Sequence, residues 1–350
     1  MSKPYKARKI KNLKFSIVII TSKRAQKLVA CLNSILNQKP CDEIVVVVNG
    51  EDSKTNYLLS NKYSEKVKII SLKSHVTPAH ARNIAIKSSR FDYILFLDDD
   101  TILPENYINK SLKILDTYKP DVLGGPDTTK IDATYFEKAF GVALLSPFMT
   151  GPTRFRHKKL RVSKLEESDE FKLILCHMWF KRSLFSADKF SFDSEYGRNE
   201  ENKLLAQLKE ENKKIYYDPS LYVFHNRKQN FTKIHDAYSK SGYYRFKMCF
   251  EGHNKRWYYF ASPLVLLLLL FFMGIFMPEG AIFVLVCLLF VSLVSAIYVT
   301  WLEKKKRYLI DVFLIQNFVL LSYALGSLKF LLEKIVYSAP SIKRVIYKRL

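Results

Sequence analysis

Residues 260–277 and 281–301 contain no charged side chain, and only Pro278-Glu279-Gly280 separates them. Each run approaches the ~20 apolar residues that a helix needs to cross a bilayer. Two such runs joined by a tight turn predict a membrane hairpin, in preference to a helical hairpin buried in a soluble core. Lys255-Arg256 precede the pair and Lys304-Lys305-Lys306-Arg307 follow it. Positive charge on both flanks keeps both ends on the cytoplasmic side and leaves only the turn outside. A third apolar stretch, residues 308–328, is interrupted by Asp311, Gln316 and Asn317. If it crossed, the basic tail SIKRVIYKRL would lie outside, so a helix lying in or dipping into the interface is expected. The expected organisation is a soluble domain over residues 1–250, a hairpin over 251–303, and a basic interfacial or third membrane helix with its tail over 304–350.

The 350 residues are 48% hydrophobic and 25% charged, which excludes a disordered chain. A net charge of +23 favours anionic partners: nucleic acid, acidic lipid headgroups or phosphate-bearing substrates. The five cysteines are scattered with no CxxC pair, so neither a zinc site nor a disulfide framework is indicated, and a reducing, cytosol-facing location fits. The apolar run at residues 15–20 is short, β-branched and followed by Ser22-Lys23-Arg24, which reads as a first strand rather than a signal peptide.

Ahead of the hairpin the pattern alternates. Strands are expected at residues 15–21, 43–48, 67–71 and 93–97, with helices at 25–37 and at 78–89, the latter opened by Pro78. Continuous Val/Ile runs in this rhythm predict an α/β fold whose parallel sheet is covered on both faces. Ligands gather at the carboxyl ends of such strands. Three polar sets fall there: Thr21 to Arg24, Asn49 to Asp52, and Asp98 to Asp100.

The last set ends the stretch FDYILFLDDDTILP. Three neighbouring carboxylates repel one another, so a positive partner is expected. Side chains alternate along an extended backbone. Asp98 and Asp100 can therefore converge on one Mg²⁺ or Mn²⁺ ion, a hard cation that commonly bridges protein carboxylates to substrate phosphates. Asp99 then turns away, towards a sugar hydroxyl or a basic neighbour. A helix cap after Pro104 needs one aspartate, not three. The aspartate-based phosphatase pattern DxDxT is off by one residue, because Thr101 directly follows Asp100.

The ordered series SIVIITSKR, VVVNGED, TPAHARNIAI, ILFLDDDTILP, GGPDTT, FEKAFG, FMTGPTRFR and FDSEYGRNEENKLLAQLKEENKKIYYDPSLYVFH resembles glycosyltransferase family 2. It covers roughly residues 15–225 in family order. The resemblance implies a GT-A fold, a Rossmann-like mixed sheet that binds a nucleotide-diphospho sugar. It points to a subgroup with a NEEN-type motif and C-terminal membrane helices, acting in surface-polysaccharide or lipid-linked glycan assembly. By this resemblance Asp98 and Asp100 match the DxD motif that holds the metal and the diphosphate. His225, in YVFH, matches a histidine near that diphosphate and completes the metal set. Thr21, Arg24, Arg82 and Asn83 line the donor site with Asp52, Asp99 and Asp127. Asn49 stands where the family usually has an aspartate on the base, and Ser22-Lys23 replaces the usual Tyr-Asn.

Inverting sugar transfer needs a group that takes the acceptor proton. The resemblance puts that base at Glu201, with Glu200 beside it; neighbours on a helix diverge by about 100°, so one of them aims at the substrate. A solvated acidic helix start is the plainer reading of the same pair. The basic segments 151–164 and 228–255 carry no recognisable nucleic-acid module and flank the membrane hairpin, so anionic lipid or a polyprenyl-phosphate-linked acceptor is the expected partner. The expected place is the cytoplasmic membrane, with the catalytic domain facing the cytoplasm. A processive polysaccharide synthase is the nearest alternative, but His253–Trp257 (HNKRW) lacks the glutamine of its QxxRW motif and two spans do not enclose a polymer. A non-catalytic membrane protein that keeps the fold is the other alternative, disfavoured by Asp98, Asp100 and Glu201 occurring together.

Overall fold

The computed structural model describes residues 13–38, 41–160, 162, 164–252 and 258–338. The HNKRW stretch, the first twelve residues and the basic tail lie outside the described residues. The chain divides into two units: residues up to 128 with 158–194 and 208–225, and residues 129–157 with 195–207 and 226 onwards.

The first unit opens with β1 (Phe15–Thr21), α1 (Ala25–Leu36), β2 (Glu43–Val48), α2 (Ser53–Lys62), β3 (Lys68–Ser71), α3 (Pro78–Ser88) and β4 (Tyr93–Asp98). It continues through β5 (Thr101–Ile102), α4 (Tyr107–Tyr118), β6 (Val122–Gly124), β7 (Asp127–Thr129), β8 (Glu166–Glu167), β9 (His177–Lys181), β10 (Ile215–Tyr217) and β11 (Val223–His225). Eight strands form one sheet in the order β3-β2-β1-β4-β9-β6-β10-β8, and β5-β11-β7 form a small second sheet. The strands β3, β2, β1 and β4 are mutually parallel, whereas β9 runs antiparallel between β4 and β6. The sheet is therefore mixed, with the parallel half that the Val/Ile runs announced.

β2 is buried at every position, as expected for a strand covered on both faces. Trp179, fully buried on β9, stacks edge-on against Phe15 of β1 and ties the antiparallel strand into the core. The proline-opened helix is as expected, with Thr77 accepting from the His80 N–H as its N-cap. α2 has little apolar periodicity, because it buries only Thr55 and Leu59.

At the amino end of β2, Glu43 is buried and accepts from Ser16 Oγ at 2.6 Å, Arg90 N at 3.0 Å and Arg90 Nε at 2.9 Å. Burial by itself would raise its pKa, but these donors outweigh that and hold it below the ordinary value. A depressed folded pKa contributes stability above the unfolded value of about 4.3 and loses it as pH falls through the folded one. Glu43→Gln is expected to lower stability by about 1–3 kcal/mol at neutral pH. In thermal unfolding followed against pH, the difference from wild type is expected to shrink below about pH 4. A difference that persists unchanged in acid contradicts the assignment.

The second unit holds α5 (Tyr135–Ala143), α6 (Pro147–Thr150), a 3-10 segment at Gly151–His157, α7 (Glu200–Glu210, most of which lies here), α8 (Phe231–Phe250), α9 (Tyr258–Phe276), α10 (Pro278–Leu302) and α11 (Leu309–Ser338). The hairpin turn is tighter than the Pro-Glu-Gly reading implied. Met277 alone breaks the helix, and Pro278 opens α10. By length and composition, residues Pro278–Leu302 and Lys306–Val336 are long and apolar enough to cross a membrane, while Ala261–Phe276 is shorter. α9 and α10 display Phe271, Phe272, Phe276, Phe283 and Phe290 to the outside, each more than half exposed. An exposed apolar surface of this kind marks a place where a membrane or another apolar partner can sit.

Gln316 and Asn317, which interrupt the third apolar stretch, face α10. The Gln316 amide donates to the Ser292 carbonyl and hydroxyl, Asn317 donates to Ser292 Oγ at 2.7 Å, and the Ser146 hydroxyl donates to Gln316 Oε1 at 2.9 Å. Polar side chains at such positions hold apolar helices together. α8 and α11 meet through glycines. A Cβ on Gly242 would lie 2.0 Å from the Tyr323 carbonyl oxygen, and one on Gly326 would lie 1.8 Å from that of Ser239.

Candidate active site

The parallel strands of the first unit end on one edge, and the polar groups collect there. β4 stops at Asp98, the chain turns through Asp99 and Asp100, and β5 begins at Thr101. The triplet caps no helix, since the N-cap of α4 is Asn106. β11 pairs with β5 so that His225 sits opposite Thr101. This pairing brings the histidine to the aspartates: its Nε2 is 3.0 Å from Asp100 Oδ1 and 3.8 Å from Asp98 Oδ2. One ligand atom from each of Asp98, Asp100 and His225 lies within 4.8 Å of the others. Two carboxylate oxygens and an imidazole nitrogen at this spacing fit a divalent cation such as Mn²⁺ or Mg²⁺.

Asp99 faces the other way, as expected, although it and Asp100 lie in the turn after β4 rather than on an extended strand. It is fully buried, accepts from Thr21 Oγ1 at 2.7 Å and pairs with Arg24 Nη2 at 2.9 Å. Burial pushes its pKa up to about 7, against the pull of Arg24 and Thr21. Asp100 is also buried, but His225, Arg24 and Lys27 outweigh the burial and hold its carboxyl well below the usual range. Burial disfavours a charged His225, yet Asp100 and Asp127 lift its pKa to about 9. Arg82 Nη2 lies 3.6 Å from Asp98 Oδ1. The like charges are thus balanced by Arg24, Lys27, Arg82 and His225. Lys27 was not singled out in the sequence; it lies one turn beyond Arg24 on α1.

Other expected donor contacts have structural work. Asp127, read as a substrate ligand, is fully buried and accepts from His225 Nδ1 at 3.0 Å. It orients the histidine and fixes which nitrogen faces the aspartates, the usual office of a carboxylate behind a ligating imidazole. Asn49 both donates to and accepts from the backbone of Val76, at 2.9 Å each way. Asn83 does the same with Phe192, at 2.7 and 3.0 Å. Both amides therefore clamp loops near the strand ends. Asp52 caps α2 through Thr55 and accepts from Lys23 N at 2.7 Å, which holds the turn after β1 with Lys23 in the left-handed region. His177, buried between Tyr107 and the Pro126 carbonyl, has its pKa lowered by burial to about 4 and stays neutral.

In the second unit, Glu200 and Glu201 open α7 and both are buried, so the pair is not a solvated helix start. Asn202 Nδ2 donates to Glu201 Oε1 at 3.1 Å, and Arg156 Nη2 donates to Asn202 Oδ1 at 2.6 Å. Arg156 belongs to the basic 151–164 segment read as a lipid-attracting patch, yet it is 5% exposed and fixes the residue beside Glu201. Only its neighbours remain available to an outside partner.

The mixed sheet, with its Asp-rich turn after the central parallel strand, defines a nucleotide-diphospho-sugar transferase fold of the GT-A type. The mannosyltransferase PcManGT of Pyrobaculum calidifontis, solved in complex with GDP-Man and Mn²⁺, superposes with a TM-score of 0.58 at 13% identity, covering 93% of this chain and 90% of that one. Residues 16–187 match the family model Glycosyl transferase family 2, and this part of the chain belongs to that family. A glycosyltransferase of Rickettsia bellii is 31% identical over 110 residues, covering 31% of this chain and 16% of that protein. Poly(ribitol-phosphate) beta-N-acetylglucosaminyltransferase TarS of Staphylococcus aureus is 29% identical over 117 residues, covering 32% of this chain and 20% of TarS. The matches therefore span a fifth or less of these two relatives.

Proposed function

We propose that the chain is an inverting, divalent-metal-dependent glycosyltransferase that moves a sugar from a nucleotide-diphospho sugar to a membrane-associated, lipid-linked glycan. The observation that carries this reading is the Asp98–Asp100–His225 cluster at the carboxyl edge of the sheet. The presence of GDP-Man and Mn²⁺ in PcManGT and the polymer acceptor in the name of TarS support it.

Asp98, Asp100 and His225 would hold the ion, and when bound it would supply positive charge against the departing diphosphate. Asp127 keeps His225 turned for that role. Arg82 and Lys27 are cations within reach of the same carboxylates and would take phosphate oxygens, with arginine suited to two at once. Asp99 gives Thr21 and Arg24 a fixed anchor. Glu201 would accept the proton of the acceptor hydroxyl, with its carboxylate held by Asn202. The apolar hairpin would fasten the enzyme to the cytoplasmic face of a membrane, where a lipid-linked acceptor presents its hydroxyl.

The test is a panel of nucleotide-diphospho sugars with Mn²⁺ or Mg²⁺, offered with soluble sugars and with lipid-linked glycan in vesicles. One sugar added preferentially to the lipid-linked acceptor is the expected product. A ladder of products points to a polymerase, and equal rates on soluble and lipid-linked sugars contradict the acceptor assignment.

A further inference from the structure

α11 is long and apolar enough to cross a membrane, but its contacts describe a different course. Near its start it follows α10 back from the loop between them, and Gln316 and Asn317 reach Ser292. A helix continuing along α10 through a bilayer would arrive at the turn around Met277 by residue 330. Phe330 instead packs with Ala261 and Leu264 of α9 and Phe246 of α8. Leu264 and Ser292 stand about equally far from the turn, on the order of 20 Å along their helices. α11 therefore crosses the base of the hairpin from one leg to the other.

α8 runs beside it in the same direction. Phe231 meets Phe318, His235 meets Ser322, and Tyr243 meets Phe330, at a constant offset along the two helices. α8 also exposes Lys233, Asp236 and Lys240, charges that a hydrocarbon interior excludes. A helix fastened along such a neighbour cannot pass through a bilayer alone.

The other face of α11 has no partner among the described residues. Ile310, Leu314, Leu321, Leu325, Leu332, Ile335 and Val336 are its exposed large apolar side chains. At 100° per residue, they fall within an arc of about 100°. Lys304, Lys305, Lys306 and Arg307 are exposed just before the stripe begins, and Lys329 is exposed at its rim.

We infer that α11 lies in the plane of the membrane, its Ile310–Val336 stripe seated among the acyl chains of an anionic bilayer and its opposite face on α8. Both ends of α11 then stay on the membrane face where α8 lies. The basic residues ahead of the stripe meet anionic headgroups, which fits an in-plane amphipathic helix. This rests on the membrane attachment proposed above.

The experiment places a nitroxide label at Ile310→Cys, Leu321→Cys or Leu332→Cys, one at a time. The full chain carries Cys41, Cys249 and Cys287 changed to serine and is reconstituted in vesicles of mixed neutral and anionic phospholipid. Phe283→Cys in the hairpin serves as the reference. Depth is read from accessibility to oxygen against a water-soluble relaxant. An in-plane helix gives three shallow depths within about 10 Å of one another, with Phe283 deeper. A spanning helix separates Ile310 from Leu332 by about 33 Å along its axis and puts them on opposite sides of the midplane, which overturns the inference. Three water-exposed α11 labels with Phe283 in lipid also overturn it while leaving the hairpin attached. A water-exposed Phe283 removes the membrane attachment itself.

Discussion

Glu201→Gln is expected to cut sugar transfer by about 10²–10⁴-fold while leaving donor binding intact. The amide keeps the length and planarity of the side chain, so the contact with Asn202 can be retained by a flipped carboxamide. What it lacks is an oxygen able to take the acceptor proton. Single-turnover transfer alongside calorimetry of donor binding separates the two effects. Turnover close to wild type refutes the base assignment, and loss of donor binding shows instead that the residue shapes the site. Arg156→Gln acts one step further out: it removes the guanidinium that holds Asn202 Oδ1, so a smaller loss of transfer is expected.

The second large effect falls on the cluster proposed to hold the metal. Asp100→Ala removes one of its three groups and leaves His225, Arg24 and Lys27 without their shared carboxylate. Metal-dependent donor affinity is expected to fall by at least about 100-fold, beyond the 10–100-fold typical of outer-shell changes. Affinity measured in the presence of a chelator is expected to change much less. Asp99→Asn provides the contrast, because Asp99 turns to Thr21 and Arg24 rather than to the other two aspartates' cluster. Ion binding is expected to survive that change. Equal losses at positions 99 and 100 contradict the division of labour within the triplet.

The residues explain why some of this was legible in the sequence and some was not. β1, β2 and β4 are continuous apolar runs buried on both faces, so their composition announces a parallel sheet, and the aspartates follow from where β4 must end. β9 reads only as HMWFK, and its antiparallel place between β4 and β6 depends on partners far along the chain. α2 escaped because it buries so little. Asn49 and Asp52 are expected to touch ligand because they stand at a strand end, and Asn83, on α3, by resemblance; each also holds local backbone, because loops entering that edge need hydrogen-bond partners too. Nothing local distinguishes an amide that clamps a backbone from one that binds a nucleotide. Arg156 was hidden for a related reason. In a run of basic residues, the buried one has no signature of its own.

The central claim is that Asp98, Asp100 and His225 grip a divalent ion against the diphosphate of the donor. Pulsed EPR of Mn²⁺ bound to the wild-type chain with a nucleoside diphosphate tests it most directly. The account predicts phosphorus couplings from the diphosphate and a nitrogen coupling from one imidazole, the latter abolished by His225→Ala. A Mn²⁺ spectrum that matches the metal–nucleotide complex free in solution, unchanged when the protein is added, contradicts it.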